Sequence, residues 1–338
     1  MITNKVLISV ALCTYNGEQF LWEQLESLAR QTHLPDEVVV CDDCSLDQTV
    51  ALVNRFGQTA PFKVRVFVNE QQLGVTKNFE KALTKCEGDL LFLADQDDIW
   101  EAGKITKMAR FLENNPSVNV VFSDAALVHE QAKPLHKTFW EVVRLHPPQL
   151  AQWRMGESIK IMLVGNRVAG CTMALRKSFL QTLLPFPSDI PEFLHDTWIA
   201  FAASVLDQIQ FIAEPLVQYR QHSAQQVGTQ PKNLVPLNLK QRLARPHQQK
   251  LLPFKQRQQE LLRLYRHLQR VVPKDHKNLK IVEEKLHFLT VRANLPSNRV
   301  LRLVPVFKQW IKGNYHYFAD QDTSVKGIFM TALGDVLE

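Results

Sequence analysis

The chain has 338 residues, 45% of them hydrophobic and 22% charged, with a net charge of +6. That length allows one large domain or two of ordinary size, and the composition is that of a globular protein. With 12 Gly, 17 Pro and no apolar run near the ~18 residues of a membrane span, collagen-like, low-complexity and helical integral-membrane chains are excluded.

The first 125 residues alternate strand and helix. Residues 6–12 form a continuous apolar run, as in a strand covered on both faces. The run leads straight into the turn Thr14-Tyr15-Asn16-Gly17, with no small-residue cleavage site, so it reads as a strand and not as a signal peptide. Residues 18–31 carry Phe20, Leu21, Leu25 and Leu28 at helical spacing, and the Val-rich residues 37–41 are a short strand. Residues 46–56 are helical in pattern, with Ser45 as N-cap. A strand over 63–68, a helix over 75–86 and a strand over 89–94 follow, then a helix over 101–113 and a strand over 118–122. Repeated βαβ units predict a mostly parallel sheet, whose ligands bind outside the carboxyl ends of the strands.

Residues 126–165, with Pro134, Phe139, Trp140, Pro147 and Pro148, read as irregular. After them come a strand near 170–175, helices from about 177 and over 196–206, and strands near 210–213 and 216–219. The Gln-rich stretch 221–236 reads as a linker. Beyond it, Leu261, Leu264 and Leu268, then Ile281, Val282, Leu286 and Leu289, then Leu301, Val304, Phe307 and Ile311 recur at helical spacing. The organisation is therefore an α/β domain over 1–235 and a helical subdomain over 236–338. Charge divides the same way. Residues 236–338 hold 19 Lys and Arg against 8 Asp and Glu, and the rest of the chain 21 against 26. Five cysteines, an odd number, read as thiols of a reducing compartment, and Cys41-x-x-Cys44 lacks the second pair that zinc requires.

Three polar clusters end predicted parallel strands: Cys13-Thr14-Tyr15-Asn16-Gly17, Cys41-Asp42-Asp43-Cys44-Ser45, and Ala94-Asp95-Gln96-Asp97-Asp98. They should meet on one rim of the sheet. Asp95, Asp97 and Asp98 would repel one another in a poorly solvated site, and Mg2+ or Mn2+ suits such oxygen ligands. The Asp42/Asp43 pair can accept hydrogen bonds from a base or a ribose. The sequence has no Walker lysine motif and no G-x-G-x-x-G loop.

The succession C-T-Y-N-G, V-V-V-C-D-D-C-S-x-D-x-T, L-G-V-T-K-N-F and A-D-Q-D-D-I-W, followed by His195-Asp196-x-Trp198, resembles family 2 glycosyltransferases of the GT-A fold, in particular the bacterial rhamnosyltransferase-like members. The resemblance covers about residues 5–225 and implies a Rossmann-like sheet flanked by helices, with the basic helical region as an extension. It implies that Cys13, Thr14 and Tyr15 line the nucleotide pocket, that Asp43, with Asp42 beside it, binds the base, and that Lys77 and Asn78 face the nucleotide. Asp95 would lie near the ribose with Gln96 beside it, Asp97 would ligate the metal, and Asp196 would be the catalytic base. Arg220 would grip the diphosphate and His222 would complete the metal shell. The pattern departs from the commoner D-D-G-S at Cys44, which bears on the local turn. Gly170-Cys171-Thr172-Met173 resembles the small-residue strand near the acceptor.

The activity implied is inverting transfer of a sugar from a nucleoside diphosphate donor, dTDP-rhamnose or a UDP-sugar, to a saccharide or lipid-linked acceptor of surface polysaccharide. A sugar-nucleotide pyrophosphorylase would open with a Gly-rich loop that this sequence lacks. The alternative is a catalytically degenerate domain that binds nucleotide, membrane or nucleic acid; the intact Asp95, Asp97 and Asp196 argue against it. The expected location is the cytoplasm, with the basic tail meeting the anionic inner face of the plasma membrane in preference to nucleic acid.

Overall fold

In a computed structural model, residues 5–190, 193–222, 244–320 and 322–337 are described. The chain divides into two compact units, residues 1–156 with 167–229 and residues 157–166 with 230–338.

In the first unit the apolar runs become strands. β1 (Ile8–Thr14) pairs in parallel with β2 (Glu37–Asp42) on one side and β4 (Leu90–Asp95) on the other, and β3 (Lys63–Val68) adds in parallel to β2. Every residue of β2 is buried, which is why its sequence shows no alternation. The crossovers are α1 (Leu21–Ala29), α2 (Thr49–Gly57) and α3 (Val75–Lys85). Each buries its apolar stripe: Leu21, Leu25 and Leu28; Val53 and Phe56; Phe79, Ala82 and Leu83. Beyond β4 the sheet is mixed, in the order β3-β2-β1-β4-β8-β6-β9-β5 with β7 on β6. β8 (Met173–Arg176) lies antiparallel between β4 and β6 (Val120–His129). β9 (Ile209–Gln221) runs parallel to β6, and the two-residue β5 (Ile99–Trp100) pairs with β9. α4 (Lys104–Asn114), α8 (Lys177–Leu183) and α9 (His195–Val205) complete the helices that flank the site.

Three expectations are corrected. The strands read near 210–213 and 216–219 are one strand, because β9 absorbs Ala213 and Glu214 as a register shift against β6 and pairing resumes at Pro215. Residues 126–165 are ordered: β6 continues to His129, β7 (Pro134–Thr138) returns beside it, and α5 (Phe139–Val143) and α6 (Pro147–Gln152) follow. Thr138 and Glu141 form a capping box on α5, and Pro147 and Pro148 open α6, where their missing N–H groups cost nothing. Ser45 does not cap α2, which begins at Thr49; its hydroxyl donates instead to Asp42 Oδ2 at 2.5 Å. The stretch read as a linker lies outside the described residues apart from Gln221, which ends β9, and His222.

The second unit is helical: α7 (Ser158–Met162), α10 (His247–Val271), α11 (Lys277–Ala293), α12 (Arg299–Ile311), α13 (Asn314–Tyr317) and α14 (Val325–Leu337). Its core gathers Leu251, Phe288, Leu295, Val306, Tyr315, Phe318, Ile328 and Ala332. Arg292 forms a two-point ion pair with Asp335 at 2.7 and 2.9 Å, and the Tyr315 hydroxyl donates to the same carboxylate at 2.6 Å. No described helix is long and apolar enough to cross a membrane.

Candidate active site

Sheet register brings the three polar strand ends together. Thr14 pairs with Asp42, and Cys13 lies between Cys41 and Asp95. At the β1 end, the Thr14 hydroxyl donates to Asp42 Oδ2 at 2.8 Å, and Gln96 clamps Tyr15 by accepting from its N–H at 2.8 Å and donating to its carbonyl at 3.0 Å. Gly17 makes that clamp feasible, since a Cβ there would sit 2.1 Å from Gln96 Oε1. Ser45, Asp47 and Thr49 accept from the backbone N–H groups of Asn16, Glu18 and Gly17, at 2.9, 3.0 and 2.8 Å. The second motif thus pins the first. Cys44 adopts φ +67°, the left-handed conformation that suits glycine, so the departure from D-D-G-S puts a side chain at a strained position.

Asp42 and Asp43 are both buried. Asp43 accepts from Asn69 Nδ2 at 2.7 Å and from the N–H groups of Leu73 and Gly74 at 2.7 and 2.9 Å, which ties the β2 end to the loop before α3. Lys77 is paired with Glu80 at 2.8 Å and donates to the Phe186 carbonyl at 3.2 Å. Asn78 donates to the Cys41 carbonyl at 2.8 Å and accepts from Asn69 at 2.9 Å. Lys77 and Asn78 therefore take part in the hydrogen bonds that brace the rim. Tyr15 is the exposed member of the set.

The acidic turn after β4 is held by β9. The Asp97 carboxylate meets His222 Nε2 at 2.8 Å, a contact between residues read separately as metal ligands. The Arg220 backbone N–H donates to Asp98 Oδ1 at 3.1 Å, and its Nε donates to the Asp97 carbonyl at 2.7 Å. The rest of its guanidinium bonds to the Glu130 carbonyl and the Glu23 carboxylate, and it lies over the Phe20 ring at 4.8 Å. Arg220 is 1% exposed. Through these bonds it fastens the acidic turn.

Asp196 stands at the first turn of α9, where the helix dipole favours a carboxylate. It accepts from Gly170 N–H at 3.2 Å, from Thr197 N–H at 2.5 Å and from the Thr197 hydroxyl at 3.1 Å. Gly170 opens a 3-10 turn (Gly170–Thr172) before β8, where a strand was expected. A Cβ at Gly170 would lie 2.7 Å from His195 Nε2, so this close approach requires glycine.

Lys104 belongs to none of the sequence motifs, and His195 and Cys171 enter them only as neighbours of Asp196 and Gly170. Lys104 is fully buried, donates to the Cys171 carbonyl and places Nζ 3.4 Å from the Trp100 ring centre. Burial pushes its ammonium down to about 7. Burial, then the Asp97 charge, pushes the Asp98 carboxyl up to about 7. Burial, then Asp98, Asp97 and Asp196, holds Asp95 well above the carboxylate range, which places Asp196 within electrostatic reach of the acidic turn. Asp95, Asp98 and Cys171 bring their potential ligand atoms within 4.8 Å of one another. His195 is buried, stacks on Phe79 with ring centres 3.8 Å apart, and finds no hydrogen-bond partner for either ring nitrogen among the described residues.

Residues 9–184 match the family model described as Glycosyl transferase family 2. An uncharacterized protein of Mycobacterium tuberculosis is 26% identical over 220 residues, which is 64% of this chain and 59% of that protein. The chain thus spans about three fifths of that relative's length. An Escherichia coli protein, UDP-Glc:alpha-D-GlcNAc-diphosphoundecaprenol beta-1,3-glucosyltransferase WfgD, is 31% identical over 112 residues, 33% of this chain and 43% of that one. Among solved structures, residues 1–349 of S. aureus TarS in complex with UDP-GlcNAc share the fold with a TM-score of 0.53 at 17% identity, covering 92% of this chain and 89% of that one.

Proposed function

The chain belongs to glycosyl transferase family 2, and on that premise we propose that it transfers one sugar, with inversion, from dTDP-rhamnose or a UDP-sugar to a saccharide or lipid-linked acceptor in surface polysaccharide synthesis. The observation that carries this reading is the convergence of Thr14, Asp42 and Asp95 through register and of Asp97 with His222 at 2.8 Å. The E. coli relative is named for a UDP-Glc donor and a diphosphoundecaprenol acceptor, which favours a UDP-sugar and a lipid-linked acceptor.

The residues present fit a hard divalent cation. The rim carries carboxylates whose burial and, after it, mutual repulsion keep Asp95 and Asp98 well above their ordinary range, a frustration that a cation would relieve. Asp97 and His222 would hold Mg2+ or Mn2+, with Asp95 and Asp98 behind them. The Cys171 thiol, pushed well up by burial and then by Asp98 and Asp95, stays protonated and is no ligand for such an ion. When bound, the ion supplies charge stabilisation on the departing nucleoside diphosphate. The chain's own part is positioning. Gln96 and the Ser45–Thr49 hydrogen bonds fix the Tyr15 loop against which the nucleotide would lie. Gly170 and Thr197 orient the Asp196 carboxylate, whose remaining lone pairs take the acceptor hydroxyl's proton during attack. No covalent intermediate is needed for inversion.

Calorimetric titration with UDP and dTDP, with and without Mn2+, tests the reading. The expected result is Mn2+-dependent binding that Asp97→Ala abolishes. Asp196→Asn should keep that binding while transfer falls by roughly 10²–10⁴. Binding of neither nucleotide under any condition would support the degenerate-module alternative.

A further inference from the structure

Helix α12 is built inside out. The face it turns to the core of the second unit carries Arg302, Val306 and Gln309, at 3%, 6% and 4% exposure. Its hydrocarbon faces the other way. Val300, Leu303, Val304, Phe307 and Ile311 are 69%, 52%, 60%, 62% and 68% exposed. At the helical advance per residue these five share one stripe about 100° wide. Lys308 and Lys312 lie along one flank and Arg299 along the other, and no Asp or Glu occurs from Arg299 to Ala319. The apolar surface continues onto α14, where the half-exposed Phe329 meets Trp310 edge-on at 6.0 Å and Val325 is 73% exposed. Outward hydrocarbon is not the habit of this unit: in α10 and α11, Leu261, Leu264, Leu268, Leu279, Val282 and Phe288 are buried.

A contiguous apolar face of this kind is a binding surface, and its flanks say what it binds. We propose that the α12 face docks on an anionic lipid bilayer. The helix would lie in the headgroup plane with Val304, Phe307 and Ile311 among the acyl chains and Arg299, Lys308 and Lys312 on lipid phosphates. A second copy of the chain would also cover the stripe. A two-fold pairing, however, sets the same basic flanks against each other with no acidic residue to offset them. A bilayer supplies both hydrocarbon and negative charge. The inference stands on the second unit alone and goes beyond the transfer reading.

Vesicle flotation of the full chain tests it, with vesicles of phosphatidylcholine alone or with about one third phosphatidylglycerol. The chain should float with the anionic vesicles and remain behind with the neutral ones. Val304→Glu with Phe307→Glu should weaken flotation at least ~10-fold, and Lys308→Glu with Lys312→Glu by a similar factor. Thermal melts identify any variant that fails to fold, and the lysine pair then decides. Mn2+-dependent nucleotide binding, measured alongside, keeps failure of docking distinct from failure of the donor site. Equal flotation of the wild-type chain and both variants, no flotation of the wild type, or a solution dimer that the apolar pair dissociates while nothing floats would each overturn the proposal.

Discussion

The two units break the rule of apolar interiors and polar surfaces in opposite directions. The first buries charge: Lys104, Asp98 and Arg220 have almost no exposed surface at the ends of β4 and β9. The second exposes hydrocarbon along α12. Scattered surface apolar residues are ordinary, whereas a buried charge cluster and a contiguous apolar stripe are not. In the first unit the cost is met internally for Arg220, which is satisfied by Glu23, Glu130 and Asp97, while burial and neighbouring carboxylates keep Asp95 and Asp98 above their ordinary range. In the second unit nothing within the described residues covers the stripe, so its cost is relieved only by a partner. The buried cation is braced from within its own unit, and the exposed hydrocarbon is not.

Removing the buried cation should have the largest effect. Lys104→Met keeps the aliphatic stem between Trp100 and the Cys171 carbonyl but deletes the charge that faces Asp95 and Asp98. Losing one member of a buried charge set typically costs 3–5 kcal/mol, so urea unfolding at pH 7 should show a loss of about 3 kcal/mol. A loss under about 1 kcal/mol would mean that lysine and carboxyls are already neutral together, and the first unit would then bury no net opposition of charge.

His195 gives an effect of similar size that pH controls. Burial pushes its imidazole down to about 4 in the folded chain, against an ordinary value near 6.5. Between those values the unfolded chain binds the proton and the folded chain does not, so stability rises with pH across the window and falls on acidification, by up to about 3 kcal/mol. Asp98, raised to about 7, acts in the opposite sense in the same range. The difference between wild type and His195→Phe therefore isolates the imidazole, and the melting temperature of wild type relative to the variant should fall as pH drops from 7 to 4. Parallel curves would show that the ring is hydrated in the folded state.

Much of the first unit is legible in its sequence, because parallel strands covered on both faces write continuous apolar runs and the motifs follow at their carboxyl ends. The meeting of Asp97 with His222 was legible as two separate ligand assignments. Lys104 was not, although a signal existed: it shares the inward face of α4 with Met108 and Leu112, at spacings of four, where a lysine is out of place. The nucleotide roles of Lys77 and Asn78 come from the family resemblance, and that of Arg220 from its place after a strand; the hydrogen bonds that the three make within the protein are not written in the sequence. Partners brought together by the fold are a tertiary property, and Asn78 and Arg220 are buried where Lys77 is half-buried. β7, polar and bounded by proline, had no strand pattern to read. In the second unit the period of Leu301, Val304, Phe307 and Ile311 gives the helix but not the direction it faces.

That direction is the subject of the smallest expected effect and the sharpest test of the comparison. Phe307 is 62% exposed on α12, so Phe307→Glu removes no packed contact and desolvates no charge. Its cost to unfolding free energy should stay within about 0.5 kcal/mol, as for other surface substitutions. Glutamate is also a better helix former than phenylalanine, which offsets part of any loss. A cost of 2 kcal/mol or more in urea would place Phe307 in a packed interior in solution, and the contrast between the units would collapse into a single rule. A negligible cost, beside weakened flotation of the Val304→Glu and Phe307→Glu pair, would separate folding from docking on this face: the chain keeps its structure without the ring and loses only a surface that the ring helps to form.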